Sequence, residues 1–351
     1  MVGFAGLDVP PELRSLARDF DLGGVILFKR NVEAPAQVAG LVRDLRELGR
    51  EHPPWIAVDQ EGGRVARLRD PFTEWPPMAT LGRGGDAQLT GRFARALARE
   101  LRLVGISLDF APVLDVHTNP SNPVIGDRAL SEKPELVAEH GCVIIEALQG
   151  EGIAACGKHF PGHGDTATDS HLTLPFVEHT PDRLRAVEFV PFKAAIEAGV
   201  ATIMTAHVLV PALDEARPAS LSRRIVHDTL RTELGFEGLI ISDDLDMRAV
   251  ADQYTLERAS VLAVEAGCDA ILLCGADQGR QAAALEALVH AVESERLPFK
   301  QIDAVLERHR RVRERFSGAT VGWRPPSEQA LRAALGTDEH RAIAEQMRQY
   351  L

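Results

Sequence analysis

The sequence predicts an α/β fold, a (β/α)8 TIM-type barrel with a short C-terminal helical tail. Three observations point there. Short β-rich apolar runs alternate with helix-length amphipathic segments. The runs number eight. Five of them end on charged or imidazole side chains. Alternation implies parallel βαβ units, because a parallel crossover needs a connection of helix length. Eight such units close a barrel, whose chemistry sits at the C-terminal ends of its strands. A doubly wound open sheet would give a similar string of elements.

The candidate strands cover residues 2–7, 24–28, 55–59, 107–116, 154–160, 201–207, 238–243 and 270–274. Between the second and third, residues 36–48 place Val38, Leu41, Val42, Leu45 and Leu48 at spacings of three and four, the period of one helix face. Residues 87–103, 134–148, 181–198, 225–234, 256–266 and 280–292 read the same way. Thr180-Pro181-Asp182 supplies a helix start with proline at the first helical position. No period of repeat proteins is present, which argues against a solenoid. After Phe316 the pattern changes. Residues 321–326 read as a linker turn, and 327–335 and 338–350 as helices. Residues 1–316 are therefore assigned to the barrel. Residues 317–351 form an extension too short to bury a core of its own.

Composition narrows the function classes. The chain has 351 residues, 45% of them hydrophobic and 26% charged, as expected of a globular protein rather than a disordered one. Its 39 Lys and Arg against 51 Asp and Glu give a net charge of −12, which speaks against nucleic acid or an anionic membrane as partner. Cys142, Cys156, Cys268 and Cys274 form no CxxC pair and read as free thiols of a reducing compartment. The first eight residues lack the basic and apolar regions of a signal peptide, and no apolar run reaches membrane-spanning length. The expectation is a cytoplasmic monomer acting on a small molecule.

The polar strand ends are Asp59, Asp115, Lys158-His159, His207 and Asp243-Asp244. The densest stretch runs from Lys158 through His159-Phe160-Pro161-Gly162-His163-Gly164-Asp165-Thr166 to Asp169-Ser170-His171. It holds three His, two Asp and one Lys around glycines and a proline, the makings of an irregular loop. His163 with Asp165, or Asp169 with His171, could ligate a metal, but neither has the spacing of a helical HxxxH pair. Acid–base work is the second reading. Asp169 lies two residues before His171, so its carboxylate can fold back on the imidazole, orient it and favour its protonated form. Such an imidazole titrates near neutrality and can give and later take one proton. In Gly238-Leu239-Ile240-Ile241-Ser242-Asp243-Asp244 an apolar strand runs into adjacent carboxylates. These could bind a cation, orient a hydroxyl or attack an electrophilic carbon.

At these two stretches, and at Val58-Asp59-Gln60-Glu61-Gly62-Gly63-Arg64-Val65, the sequence resembles bacterial β-N-acetylglucosaminidases of glycoside hydrolase family 3. The resemblance runs from Gly23 to about residue 275. It implies a retaining mechanism through a covalent glycosyl-aspartate, with Asp243 as nucleophile. His171 would be acid and base, with Asp169 as its partner, in place of the carboxylate usual in retaining glycosidases. It also implies that Asp59, Arg67, Arg128, Lys158, His159 and His207 bind the sugar. The implied substrate is N-acetylglucosamine at the non-reducing end of peptidoglycan fragments (muropeptides), cleaved without cofactor or metal. A phosphorylase using the same residues, a non-catalytic sugar-binding barrel and a metal-dependent hydrolase are the alternatives. Phosphate is conceivable as acceptor because an imidazole, unlike a carboxylate, does not repel it.

Overall fold

The computed structural model describes residues 1–170, 172–320 and 322–351. His171, the expected acid, lies outside the described residues.

In chain order the elements are α1 (Pro11–Phe20), β1 (Gly24–Leu27), α2 (Pro35–Arg46), β2 (Trp55–Val58), β3 (Gln60–Gly62), β4 (Val65–Ala66), α3 (Ala79–Gly84), α4 (Ala87–Leu103), β5 (Leu108–Asp109), α5 (Pro134–Gly150) and β6 (Ala154–Phe160). Then follow α6 (Pro181–Ala186), α7 (Phe189–Glu197), β7 (Thr202–Thr205), a π-helix (Arg224–Glu233), β8 (Leu239–Asp244), α8 (Arg248–Ala251), α9 (Leu256–Ala266), β9 (Ala270–Leu272), α10 (Gln278–Glu293), α11 (Phe299–Thr320), α12 (Glu328–Ala334) and α13 (Asp338–Arg348). Seven strands make one parallel sheet in the order β1-β2-β5-β6-β7-β8-β9. β3 and β4 form a small antiparallel hairpin beside it.

The sheet is curled. Ile26, Trp55, Ala57, Leu108, Phe110, Ala154, Cys156, Ala201, Met204, Leu239, Ile241 and Leu272 face inward and make one cluster. Their neighbours Val25, Leu27, Ile56, Val58, Ala155, Ile203 and Ile240 face outward into the layer packed by helices. This is the period-2 alternation of a strand buried on both faces. At the edges, Val2 bridges in parallel to Val25 of β1 and to Leu273 just after β9. The bonds are Val2 N–H to the Gly24 carbonyl (3.1 Å) and Leu273 N–H to the Met1 carbonyl (3.0 Å).

The N-terminal ends of the strands are covered by α11, a helix the hydrophobic pattern does not single out. Val312 and Phe316 join the inner cluster, with the Phe316 ring edge-on to Trp55 at 6.1 Å. Arg311 donates to the Glu237 carbonyl, Arg313 to Gly23 and Pro53, and Arg315 to Gly199. All four carbonyls lie just before strands, so these arginines tie the helix to the sheet's entry ends. The helix runs unbroken across the 316/317 boundary expected from sequence. Beyond it α12 packs on α2, and α13 on α3 and α4. Buried Glu100 of α4 fastens this tail. It accepts from Thr73 N–H, the Thr73 hydroxyl and Gly336 N–H, and pairs with His340 at 2.8 Å.

The first expected strand, 2–7, is reduced to the bridge at Val2, so the sheet has seven strands where eight are expected, and the hairpin β3–β4 is unforeseen. Two further elements differ for clear reasons. The 107–116 run narrows to β5, because Pro112 offers no N–H and the chain continues beside β6 only irregularly. The 181–198 segment splits into α6 and α7, since Pro191 cannot bond back to Val187 and fits only in the first turn of a new helix. All four cysteines are free, and burial pushes the thiols of Cys156 and Cys268 up to about 12. Among the described residues no helix is long and apolar enough to cross a membrane.

Candidate active site

A cavity of about 560 Å³ opens at the C-terminal ends of the strands. Its lining includes Asp59, Arg67, Arg128, Lys158, His159 and Asp243, residues that lie far apart in the chain. Strand irregularities allow this. The ladder between β6 and β7 shifts between Lys158 and Phe160, and that between β8 and β9 shifts between Ile241 and Asp244. At both places two consecutive side chains reach the same cavity, which a regular strand would send to opposite faces.

One wall is a chain of alternating charges. Asp59 accepts from Arg67 Nη2 at 3.0 Å and from Lys158 Nζ at 2.9 Å. Lys158 also meets Glu61 at 2.6 Å, and Glu61 takes a bidentate pair of 2.8 Å bonds from Arg128. Burial alone would raise both carboxyls. Lys158 with Arg67 holds Asp59 below the usual carboxylate range, and Arg128 with Lys158 holds Glu61 far below it. Burial likewise acts to neutralise Lys158, but Asp59 and Glu61 keep its ammonium protonated well above its ordinary value. Arg67 Nε is buried and has no partner among the described residues, a donor of the wall left unmet.

A second wall is built on Asp115. This fully buried carboxylate pairs with His159 Nδ1 at 2.7 Å and accepts the backbone N–H of His163 at 2.6 Å. It fixes which face of the His159 ring the cavity sees. Next to it, His163 bonds through Nδ1 with Thr166 (2.6 Å) and through Nε2 with Ser170 (3.1 Å). Asp165 is taken up by Thr118 and His179. His163 and Asp165, one of the two pairs considered as metal ligands, thus serve the structure of this loop and its neighbours. Among the described residues no group of three His, Cys, Asp or Glu forms a metal cage.

Asp243 stands at the end of β8, half-buried on the cavity lining, with one carboxylate oxygen accepting Asp244 N–H at 2.8 Å. Asp244 also borders the cavity and accepts from the N–H groups of Cys274 and Asp246. Burial, aided by the neighbouring carboxylates, raises its carboxyl to about 6. His207 is placed differently from the sugar contact the resemblance implies. It is fully buried behind the wall, one ring nitrogen on Ser220 (2.6 Å) and the other on the Asp244 carbonyl (2.8 Å). From there it supports the backbone beside Asp243. Asp169 is half-buried, and its carbonyl accepts the N–H groups of Leu172 and Thr173. Ser170 lines the cavity, and its carbonyl accepts Ala249 N–H of α8.

Sequence reasoning missed Glu61, and it weighed His163 only as a possible metal ligand. Glu61 sits in a motif quoted for its neighbours, and only folding shows that its partner is Arg128, 67 residues away.

Two groups here set opposite pH trends. Burial lowers the His163 pKa to about 4, so its contribution to stability is complete above about 6.5 and is lost as pH falls through 4. Asp244 is raised, so its contribution is complete below 3.8 and is lost as pH rises through about 6. Each is worth about 3 kcal/mol, and they oppose each other. Asp244→Asn should therefore stabilise the protein above pH 6 and steepen its acid loss. His163→Gln should flatten that loss. Urea unfolding midpoints from pH 4 to 8 test both, and parallel curves for all three proteins would refute the assignment.

The model of the glycosyl hydrolase family 3 N-terminal domain matches residues 5–312. A β-hexosaminidase of Nitrosomonas eutropha is 42% identical over 259 residues, 72% of this chain and 74% of the relative. Beta-hexosaminidase A of Pseudoalteromonas piscicida is 35% identical across 95% of this chain, which spans only 59% of that protein. Among solved structures, a family 3 β-N-acetylglucosaminidase from a Paenibacillus species superposes with a TM-score of 0.95 at 42% identity. That match covers all of this chain and 66% of the other. NagZ of Neisseria gonorrhoeae, solved with N-trifluoroacetyl-D-glucosamine, gives 0.79 at 30% identity, with 100% and 97% covered. With its cavity at the strand ends and nine-tenths of its length inside the matched domain, this chain belongs to glycosyl hydrolase family 3.

Proposed function

We propose that the protein is a retaining exo-β-N-acetylglucosaminidase that removes terminal N-acetylglucosamine from muropeptides. The observation that carries this is that Asp243 lines the same cavity as Asp59, Arg67, Arg128 and Lys158. A polyol needs both donors and acceptors around its ring, and this wall offers both. In the first step an Asp243 oxygen attacks the anomeric carbon while the bond to the leaving oxygen breaks. His171, steadied by Asp169, gives that oxygen its proton. In the second step His171 takes a proton from water, whose oxygen displaces Asp243. A closed (β/α)8 barrel is the framework of this reading, supported by the bridging of Val2 to both sheet edges. We take residues 317–351 as an extension of it, because Glu100 ties them to α4. A cytoplasmic location, fitting recycled wall fragments, belongs to the same proposal.

A chromogenic β-N-acetylglucosaminide tests the activity. A slow 2-deoxy-fluoro sugar followed by peptide mapping tests the ester, and an adduct anywhere but Asp243 would sink the assignment. His171→Ala should slow a substrate with a poor leaving group about 10²–10⁴-fold, and an activated aryl glycoside much less. Equal losses on the two would remove His171 from the acid role. The phosphorylase alternative finds no support in the relatives named above. Free sugar, and not a sugar 1-phosphate, is the product expected in phosphate buffer.

A further inference from the structure

Glu61 is given no role by anything above, yet it occupies the middle of the charged wall. Its side chain is 1% exposed. Oε2 accepts from Arg128 Nε, and Oε1 accepts from Arg128 Nη2 and from Lys158 Nζ. Three donors hold its two oxygens, so the neighbouring cations, and not Glu61, are free to meet a ligand. Arg128 spends three of its five N–H donors on Glu61 and the Val124 carbonyl, which leaves two to point elsewhere. The wall as a whole has three cations (Arg67, Arg128 and Lys158) against two carboxylates (Asp59 and Glu61). Glycoside cleavage builds positive charge at the anomeric carbon in the transition state. A cationic wall would oppose that charge unless its excess is kept small.

We infer that Glu61 is a positioning residue of the reaction: it fixes the directions of Arg128 and Lys158 and limits the positive excess of the wall. This rests on the glycosidase reading above. Because the opposed charge exists only in the transition state, the effect falls on kcat more than on KM. Glu61→Gln keeps the shape, loses the charge, and leaves three cations on one carboxylate. We expect kcat/KM to fall roughly a hundredfold, with most of the loss in kcat. Glu61→Asp keeps the charge on a shorter arm and should recover part of kcat. The decisive variant adds Arg128→Gln to Glu61→Gln. It restores the original charge excess while removing a sugar contact, so kcat should rise above that of Glu61→Gln while KM worsens.

The measurement is kcat and KM on the chromogenic β-N-acetylglucosaminide, with thermal unfolding to show that each variant is folded. A wild type that does not turn the substrate over refutes the glycosidase reading itself. An active wild type with Glu61→Gln unchanged, or changed in KM alone, refutes only the role of Glu61, as does a double variant with kcat lower than Glu61→Gln. Should Glu61→Gln fail to fold, the double variant is compared with Arg128→Gln, whose wall has two cations on two carboxylates. Removing Glu61 from that background raises the positive excess and frees Lys158, so a lower kcat in the double variant supports the inference, and an equal or higher kcat overturns it.

Discussion

Asp243→Ala should lower kcat/KM by about 10⁴-fold or more while leaving the fold intact. The size follows from chemistry: without the carboxylate no glycosyl ester forms, and water must attack directly in a site shaped for a nucleophile already in place. The fold should survive because the only hydrogen bond found for the Asp243 carboxylate among the described residues is the local one from Asp244 N–H. Removing that carboxylate strands no buried charged partner among the described residues. Azide gives the sharper readout. A small anion can enter the space the carboxylate leaves and attack the same face, so the alanine variant with an activated glycoside should yield a glycosyl azide of inverted configuration. Near-wild-type rates, or azide without effect on rate and product, would count against Asp243 as nucleophile.

Lys158→Met is expected to produce the second large effect, on stability and activity together. Lys158 is 2% exposed and sits between Asp59 and Glu61 at 2.9 and 2.6 Å. Methionine fills similar volume without the charge. Two buried carboxylates then face each other with one cation fewer, and removing one partner from a buried pair costs about 3–5 kcal/mol. The pH dependence identifies the cause. Lys158 helps hold both carboxyls below their unfolded values, so the stability it supplies is present above about pH 4 and is lost as acid protonates them. The gap between wild type and variant should therefore narrow below pH 4. A gap that stays constant with pH would assign the loss to packing. Activity should fall as well, because Lys158 also borders the cavity that would hold the sugar.

These two side chains illustrate how unevenly the site can be read before folding. Asp243 was legible because an apolar strand ends on it, and barrel strands carry chemistry at that end. Lys158 and His159 were legible for the same reason. Glu61 was not, because its meaning depends on Arg128, which returns from the far side of α4 and β5 to meet it. His207 shows the opposite case. The family resemblance implied a sugar contact for it, but the chain after β7 turns it inward onto Ser220 and the Asp244 carbonyl. Helix α11 hid itself in another way. Its surface is rich in arginine, so its buried stripe is thin, and those arginines face backbone carbonyls that sequence patterning does not register.

The repeated alternation of strands with helices and the identity of the groups at the strand ends were determined by the sequence alone. Each depends on neighbours a few residues away, and local periodicity records such neighbours. The tertiary structure decided which of those groups share a cavity, which carboxylate stays ionised and which takes up a proton near pH 6, and how the tail is fastened through Glu100. Those outcomes depend on charges and burial brought together from distant segments, where distances of a few ångströms set energies that no spacing along the chain encodes.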